Sequence, residues 1–403
     1  MKRILFVDDE PNVLDGLQRM LRSQRKEWDM VFVGSGAEAI AALSQQVYDV
    51  IVTDVRMPEM DGSRLLEYVR QHFPRMVRIV LSGYFEREAA LRAAGVAHQY
   101  LAKPCDPARL RETIDSLCRS NAILAGEAAR GVVSAIGSLP SPPQTYASLK
   151  QALQKPDVCL EEIGRIIEQD VGMTAKVLQM VNSPLFGLVW DITSVQKAVG
   201  YIGLATLRQL VLSVEIFQTF EPERQVEGFR LDDFQSHCRL AARIASRLPV
   251  AAEVAQVSVI AALLHDAGKL VLAARLPDVF ARALRKAKAE NRPLYALEQE
   301  IIGSTHAEVG AYLLSLWGLP QPIVEAVWSH HRPSACRRAG QLDVIAVTHI
   351  ANALAVEAAE GVAGDAPPSG SLWDLDYLRN LGLAGCIPGW RRMAWENPVP
   401  VGA

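Results

Sequence analysis

Four short stretches of this chain end in side chains suited to holding a divalent cation and a phosphoryl group. Phe6-Val7 runs into Asp8-Asp9-Glu10, Val50-Ile51-Val52-Thr53 into Asp54, Ile79-Val80-Leu81 into Ser82-Gly83, and Tyr100-Leu101-Ala102 into Lys103-Pro104. Each polar group follows an apolar, often β-branched run. Each therefore stands at the carboxyl end of a predicted buried strand, the edge of an open parallel sheet where ligands bind. Asp8 and Asp9 supply acids, Asp54 supplies both a ligand and the nucleophile, and the Arg56 backbone carbonyl is placed to complete the protein's share of a Mg²⁺ site. Mg²⁺ relieves the repulsion that keeps a carboxylate from accepting a phosphoryl group as an acyl phosphate. Lys103 neutralises the added oxygens and the Ser82 hydroxyl donates to one of them. Capture of that hydroxyl moves the Ser82 loop and lets Tyr100 swing inward, so that a local charge becomes a change of surface. Alone, Asp-Asp reads as a helix N-terminal cluster and Lys-Pro as a loop; together at successive strand ends they make a site.

A second group of candidates lies farther on, on helical stripes. His237 shares a face with Phe234, Ala241, Ile244 and Leu248, and His265 follows Val254, Val257, Ala261 and Leu264. His306 lies with Val309, Leu313 and Leu316, and His349 with Leu342, Ile345 and Ala353. Asp266 directly follows His265, and His330-His331 form a pair. An inward histidine is ordinarily a satisfied core residue. Several of them with an adjacent acid are also a donor set for a divalent transition metal in a hydrolase. Spacing leaves both readings open.

The elements that must carry these groups fall into two regions. Up to about residue 118, strands at Arg3–Val7, Met30–Val33, Val50–Thr53, Arg78–Leu81 and Gln99–Leu101 alternate with helices at Pro11–Gln24, Gly36–Gln45, Asp61–His72, Glu86–Ala94 and Pro107–Leu117. Five βα units of this length predict an α/β, doubly wound, five-stranded parallel sheet. The last helix continues as a seam through Leu110, Ile114, Leu117, Asn121, Leu124 and Ala128. That makes residues 119–138 a linker helix, either solvated or dimerising. Ser138-Leu139-Pro140-Ser141-Pro142-Pro143 is a rigid break, and residues 139–385 read as an all-α domain. Gly361 to Gly370 is a loop, and Trp373, Trp390 and Trp395 are expected to pack back onto the helices, with 386–403 as a C-terminal tail.

Bulk properties bound the function. The 403 residues allow two or three domains, and 50% hydrophobic with 22% charged residues is a globular composition. A net charge of −3 with no basic run gives no footprint for nucleic acid. The longest apolar runs, near residues 4–7 and 257–264, are too short to span a bilayer. The acids at 8 to 10 end the apolar opening too early for a signal peptide. Six cysteines without a CxxC pair indicate neither a disulfide framework nor a thiolate zinc site. A cytoplasmic protein with no membrane partner is expected.

Residues 1 to about 118 resemble the CheY-like receiver domain of two-component response regulators, a flavodoxin-like fold. Asp8-Asp9, Asp54, Met57-Pro58, Asp61-Gly62, Ser82-Gly83, Tyr100 and Lys103-Pro104 carry the match. That resemblance implies phosphorylation of Asp54 by a sensor histidine kinase, in a phosphorelay that controls an output. His265-Asp266-Ala267-Gly268-Lys269 resembles the signature of HD-domain phosphohydrolases, in which an upstream His (here His237), the His-Asp doublet and a late Asp hold metal. The late acid falls at about residue 349, where this chain has His349. His306, His330 and Lys269, the last as a phosphate contact, match in type the branch that cleaves cyclic di-GMP, although His330-His331 runs into Arg332-Pro333 rather than Gly-Tyr-Pro.

Over residues 130 to 385 the chain is more similar to the HDOD domain, the HD-related output domain. Leu139-Pro140-Ser141-Pro142-Pro143, the run from Ile166 to Leu178, Val181-Asn182-Ser183-Pro184-Leu185-Phe186-Gly187 and the run from Ala198 to Arg208 carry that similarity. It implies a signalling output without catalysis, acting through an unknown output protein or a homodimer. A metal-dependent phosphohydrolase of nucleotides or cyclic di-GMP is the alternative. Asn182-Ser183-Pro184 is sufficiently explained as a helix-ending turn.

Overall fold

A computed structural model describes residues 1–83, 96–120, 133, 136, 139–141, 143–155, 157–182, 191–207, 218–219, 226–336, 342–360 and 372–395. The helix expected at Glu86–Ala94, most of the linker, the loop from Gly361 to Gly370 and the side chain of Trp395 lie outside the described residues.

Strands β1 (Lys2–Val7), β2 (Trp28–Val33), β3 (Val50–Asp54), β4 (Val77–Gly83) and β5 (Gln99–Lys103) form one parallel sheet in the order β2-β1-β3-β4-β5. Ile4 to Val7 and Val50 to Val52 are at most 1% exposed, so both faces of the central strands are covered, as an all-parallel sheet requires. Among the described residues four helices do the covering: α1 (Pro11–Met20), α2 (Gly36–Gln45), α3 (Gly62–His72) and α4 (Pro107–Ser120). Their starts are written locally. Pro11 opens α1, Ser35 Oγ accepts from Glu38 N at the head of α2, and Asp61 Oδ1 accepts from Arg64 N at the head of α3. Leu110, Ile114 and Leu117 of α4 are buried in the same core cluster as the strands, which accounts for the first half of the seam.

The second region is helical: α5 (Pro143–Gln154), α6 (Leu160–Glu168), α7 (Val171–Val181), α8 (Val195–Ile202), α9 (Leu231–Ala245), α10 (Ala252–Leu264) and α11 (Ala267–Arg275) come first. They are followed by α12 (Pro277–Glu290), α13 (Leu294–Ile302), α14 (His306–Leu316), α15 (Gln321–Ser329), α16 (Val344–Glu360), α17 (Leu375–Asn380) and α18 (Ile387–Trp395). Two-residue strands at Pro140–Ser141 and Gln218–Thr219 pair in parallel, a small departure from the all-helical expectation. Helix α18 packs on α16. Arg391 donates to both carboxylate oxygens of Glu357 at 2.8 and 2.6 Å, and the buried Trp373 indole donates to the same group at 2.7 Å. After α7, Asn182 donates to Ile192 O and accepts from Ile192 N, which ties the end of that helix to residue 192. Residues 252–275 form the one described helical stretch long and apolar enough to cross a membrane, yet 78% of its apolar window is buried inside the protein.

The two regions touch through β5 and α4. The His98 carbonyl accepts from Gln179 Nε2 of α7 at 3.3 Å, and Gln99 Nε2 donates to Leu316 O at the end of α14 at 3.2 Å. Helix α14 also packs against α4. Gly318 has φ +70°, and a Cβ there would strike the Gln99 amide. Helix α7 is buried along its whole length, and its Lys176 ammonium lies 5.6 Å from the Trp317 ring centroid and donates to Gln179 Oε1.

Burial pushes Lys176 from 10.5 down to about 7. The unfolded chain therefore holds a proton that the folded one has lost between about pH 7 and 10.5, so stability rises with pH across that window, by up to about 1.4 kcal/mol per unit. Below it the fold carries a buried charged amine. Lys176→Met is expected to flatten this dependence and to stabilise the protein most at pH 6, as read by urea unfolding at pH 6 and 9. Equal effects at the two pH values would show that Lys176 does not titrate in this window.

Candidate functional site

The sheet edge gathers the first set of candidates. Asp8 just beyond β1 and Asp54 at the end of β3 are buried, and Asp9 is exposed at the mouth. One ligand oxygen from each of the three lies within 4.8 Å of the others. Lys103, ending β5, reaches across with Nζ 2.7 Å from Asp8 Oδ2 and 2.9 Å from Asp54 Oδ1. Burial alone would lower the Lys103 pKa, but the hydrogen bonds to Asp8 and Asp54 outweigh it and raise it. Three carboxylates against one ammonium leave a deficit that a divalent cation matches, and oxygen-only donors suit Mg²⁺.

Ser82 is buried at the end of β4, with Oγ donating to Gly83 O at 3.3 Å. Tyr100 lies inward, 3% exposed, and its hydroxyl has no hydrogen-bond partner among the described residues. Arg56 sits in the turn after Asp54, with an exposed side chain. That turn is held by Gly62 N donating to Val55 O, and a Cβ on Gly62 would strike the Asp54 carbonyl.

The second set converges on Asp266, at the junction of α10 and α11. His237 from α9 and His265 from the end of α10 approach its Oδ2 at 3.7 and 3.3 Å. His306, first residue of α14, and His330, just past α15, approach Oδ1 at 3.1 and 3.7 Å. Lys269, one turn along α11, donates to Oδ2 at 2.6 Å. Burial would raise the Asp266 carboxyl, but His265 and Lys269 beside it hold it well below the usual carboxylate range. Burial, then the neighbouring His265, pushes His237 down to about 3. Burial lowers His306 too, but the Glu298 carboxylate prevails and raises it.

Five of the six candidate ligands thus come together, and His349 does not join them. Its Nδ1 faces the His330 carbonyl at 2.8 Å and its Nε2 accepts from Asp374 N at 3.0 Å, so backbone groups occupy both nitrogens. One turn later on α16, Asn352 Oδ1 lies 3.1 Å from His237 Nε2. Where the HD signature asks for a late acid, the residue that reaches the cluster is an amide.

Two further members were not singled out as ligands by spacing. His331 Nε2 lies 2.9 Å from His306 Nε2, and Glu298 of α13 contacts His306 Nδ1 at 2.6 Å. The signal for Glu298 was its place on the stripe of Leu294, Leu297 and Ile301, where an acid is costly unless paired. A cavity of about 380 Å³ opens at His237, Asp266 and Lys269. Another of about 200 Å³ opens at His331, between Tyr295, Trp328 and Arg332.

The family description of a response regulator receiver domain matches residues 4–115, and that of an HDOD domain matches residues 139–333. An uncharacterized protein of Treponema pallidum is 29% identical over 209 residues, covering 50% of this chain and 39% of its own length. The hydrogenase transcriptional regulatory protein HoxA of Cupriavidus necator is 40% identical over 114 residues, 28% of this chain and 23% of that protein. The chain spans less than half the length of either relative. Among solved structures, a virulence factor of Campylobacter jejuni superposes with a TM-score of 0.50 at 19% identity, over 68% of this chain and 99% of the other, a likeness of fold.

Proposed function

This chain is a response regulator, a receiver domain joined to an HDOD domain, and we propose that it signals through contact. A sensor histidine kinase transfers its phosphoryl group to Asp54: the bond from histidine nitrogen to phosphorus breaks and one from Asp54 oxygen forms. Asp8, Asp9, Asp54 and the Arg56 carbonyl would hold Mg²⁺, which when bound would offset the charge of the incoming group. Lys103 leaves its bridging position to pair with phosphoryl oxygens, and Ser82 Oγ donates to another. The receiver then alters how the HDOD domain meets an output protein or a second copy of the chain, in the cytoplasm.

The observation that supports this reading is the double duty of β5. Lys103 and Tyr100 belong to the phosphoryl site, and His98 and Gln99 on the same segment hold Gln179 and Leu316 of the HDOD domain. Coupling between linked sites is typically about 1–3 kcal/mol, enough to shift a docking equilibrium several-fold. Beryllofluoride with Mg²⁺, a phosphoryl mimic, is expected to change amide exchange in α7 and α14 or the oligomeric state. If neither moves, the contact reading fails.

Gly318→Ala tests the joint separately. The new methyl drives the Gln99 amide off Leu316 O, and a left-handed backbone costs an alanine about 1–2 kcal/mol. The expected result is faster exchange at the interface with undiminished labelling of Asp54 by acetyl phosphate. Unchanged exchange would show that this contact does not govern docking.

A second reading, a metal-dependent phosphohydrolase, is favoured by the four histidines gathered on Asp266. Lys269 is positioned to meet a phosphate in the cavity at His237. Its test is turnover of nucleotides or cyclic di-GMP by the full chain with Mn²⁺; no turnover removes it.

A further inference from the structure

Helices α13, α14 and α15 leave a cavity of about 200 Å³ between them, lined by Tyr295, Thr305, Glu308, Trp328, His331 and Arg332 among others. Neither Asp266 nor the four histidines that approach it line this space, which is distinct from the cavity at Lys269. Two of its side chains are at odds with the rest of the surface. Trp328 is 40% exposed, whereas Trp28, Trp317, Trp373 and Trp390 are at most 7% exposed. An indole left in water beside a concave space is a platform without its cover. Arg332 holds its guanidinium 5.3 Å from the Tyr295 ring centroid and makes no ion pair or side-chain hydrogen bond among the described residues. The exposed Arg285, Arg292 and Arg379 each hold a carboxylate. Tyr295 is itself fixed by stacking on His331, with centroids 4.5 Å apart and rings inclined by 25°. The acid on the wall, Glu308, is engaged at the head of α14: its Oε2 accepts from Thr305 N at 2.8 Å, and Thr305 Oγ1 accepts from Glu308 N at 3.2 Å. A guanidinium held in place by a ring but given no acceptor suits a planar anion.

We propose that this cavity binds a small aromatic monocarboxylate, its ring against the Trp328 indole and its carboxylate on the Arg332 guanidinium. Size, shape and charge support the assignment separately. A cavity of about 150 Å³ accepts a benzene ring, so 200 Å³ leaves room for one ring with a carboxylate and not for a dinucleotide. An indole offers the ring a stacked or edge-on partner, and a guanidinium meets a carboxylate with two parallel N–H···O bonds. Glu308 sets the charge. With one guanidinium and one carboxylate already on the wall, a monoanion adds a single negative charge and a phosphate dianion two, the second of them opposed by Glu308. His331 contributes a further polar atom, Nδ1, which is buried without a hydrogen-bond partner. The site needs neither phosphoryl transfer nor a metal, so it goes beyond the contact reading and does not depend on it.

The test titrates benzoate into the full-length protein, with binding read by ligand-detected saturation-transfer NMR and circular dichroism as the check on folding. A Kd on the order of 0.1–1 mM is expected, the range open to so few heavy atoms. Benzamide, with the same ring and no charge, should bind about tenfold more weakly, and so should phenyl phosphate. Arg332→Gln and Trp328→Ala should each weaken benzoate binding by about tenfold or more. Both side chains are exposed, so the fold should survive their loss. Arg165→Gln, at an exposed ion pair on α6, should leave the titration unchanged. No benzoate signal up to about 10 mM overturns the proposal, as does a signal that both cavity variants leave intact. Tighter binding of phenyl phosphate than of benzoate overturns it too, and would assign the cavity to phosphate esters.

Discussion

Asp54→Asn is expected to abolish phosphoryl acceptance. With acetyl phosphate and Mg²⁺, the native chain should give a retarded band on a phosphate-binding gel and the variant none. The reason is chemical: an amide has no anionic oxygen to attack phosphorus or to form an acyl phosphate. The fold should tolerate the change. Asn has nearly the same shape, and Lys103 keeps its 2.7 Å contact with Asp8 Oδ2 when the Asp54 charge goes. Loss of the band with an unchanged melting temperature therefore assigns the acceptor. A band that survives in the variant would place it on another residue and remove the basis of the phosphorelay.

The largest structural effect is expected from Gly268→Ala. Helices α11 and α14 touch backbone to backbone there: a Cβ on Gly268 would overlap the His306 carbonyl oxygen and lie 2.7 Å from Gly310 N. Gly310 shares the contact, its own Cβ position being 2.9 Å from Gly268 N. No flexible side chain can yield, so the helices must part. A cost of about 3 kcal/mol or more is expected, at the upper end of overpacking effects. Separation would also draw Asp266 and Lys269 of one helix from His306 of the other, opening the 3.1 Å approach at Oδ1. Urea unfolding measures the effect. A stability within about 0.5 kcal/mol of the native chain, the range of neutral surface changes, would mean the helices are not so close.

Much of the sheet half was legible because its signals are local. β-branched runs predict strands buried on both faces, and Ser35 and Gly36 place the start of α2 where it is found. The helical half shows where such signals stop. His349 and Asn352 lie on one stripe a single turn apart, and a period of 3.6 residues cannot say which of them reaches a site. The HD resemblance put the late ligand at about residue 349; packing turned that imidazole toward the His330 and Asp374 backbone and sent the amide to His237. Glu298 and His331 were visible as an acid on an apolar face and half of a pair, but their meeting at His306 depends on how α13, α14 and α15 pack. The two-residue strands at 140 and 218 are too short for any periodic pattern. The contact of Gln99 with Leu316, 217 positions apart, leaves no mark on either segment alone.

The short span of β5 has one more implication. Gln99 and Lys103 are separated by four residues of extended chain, roughly 13 Å, too little length for slack to absorb a displacement. Thermodynamic linkage has no preferred direction. If cation binding at the carboxylates weakens the hold on Gln99 by some factor, then a protein that pulls the helices away from Gln99 would change cation affinity by that same factor. A binding partner of the helical domain would in that case set the sensitivity of the receiver.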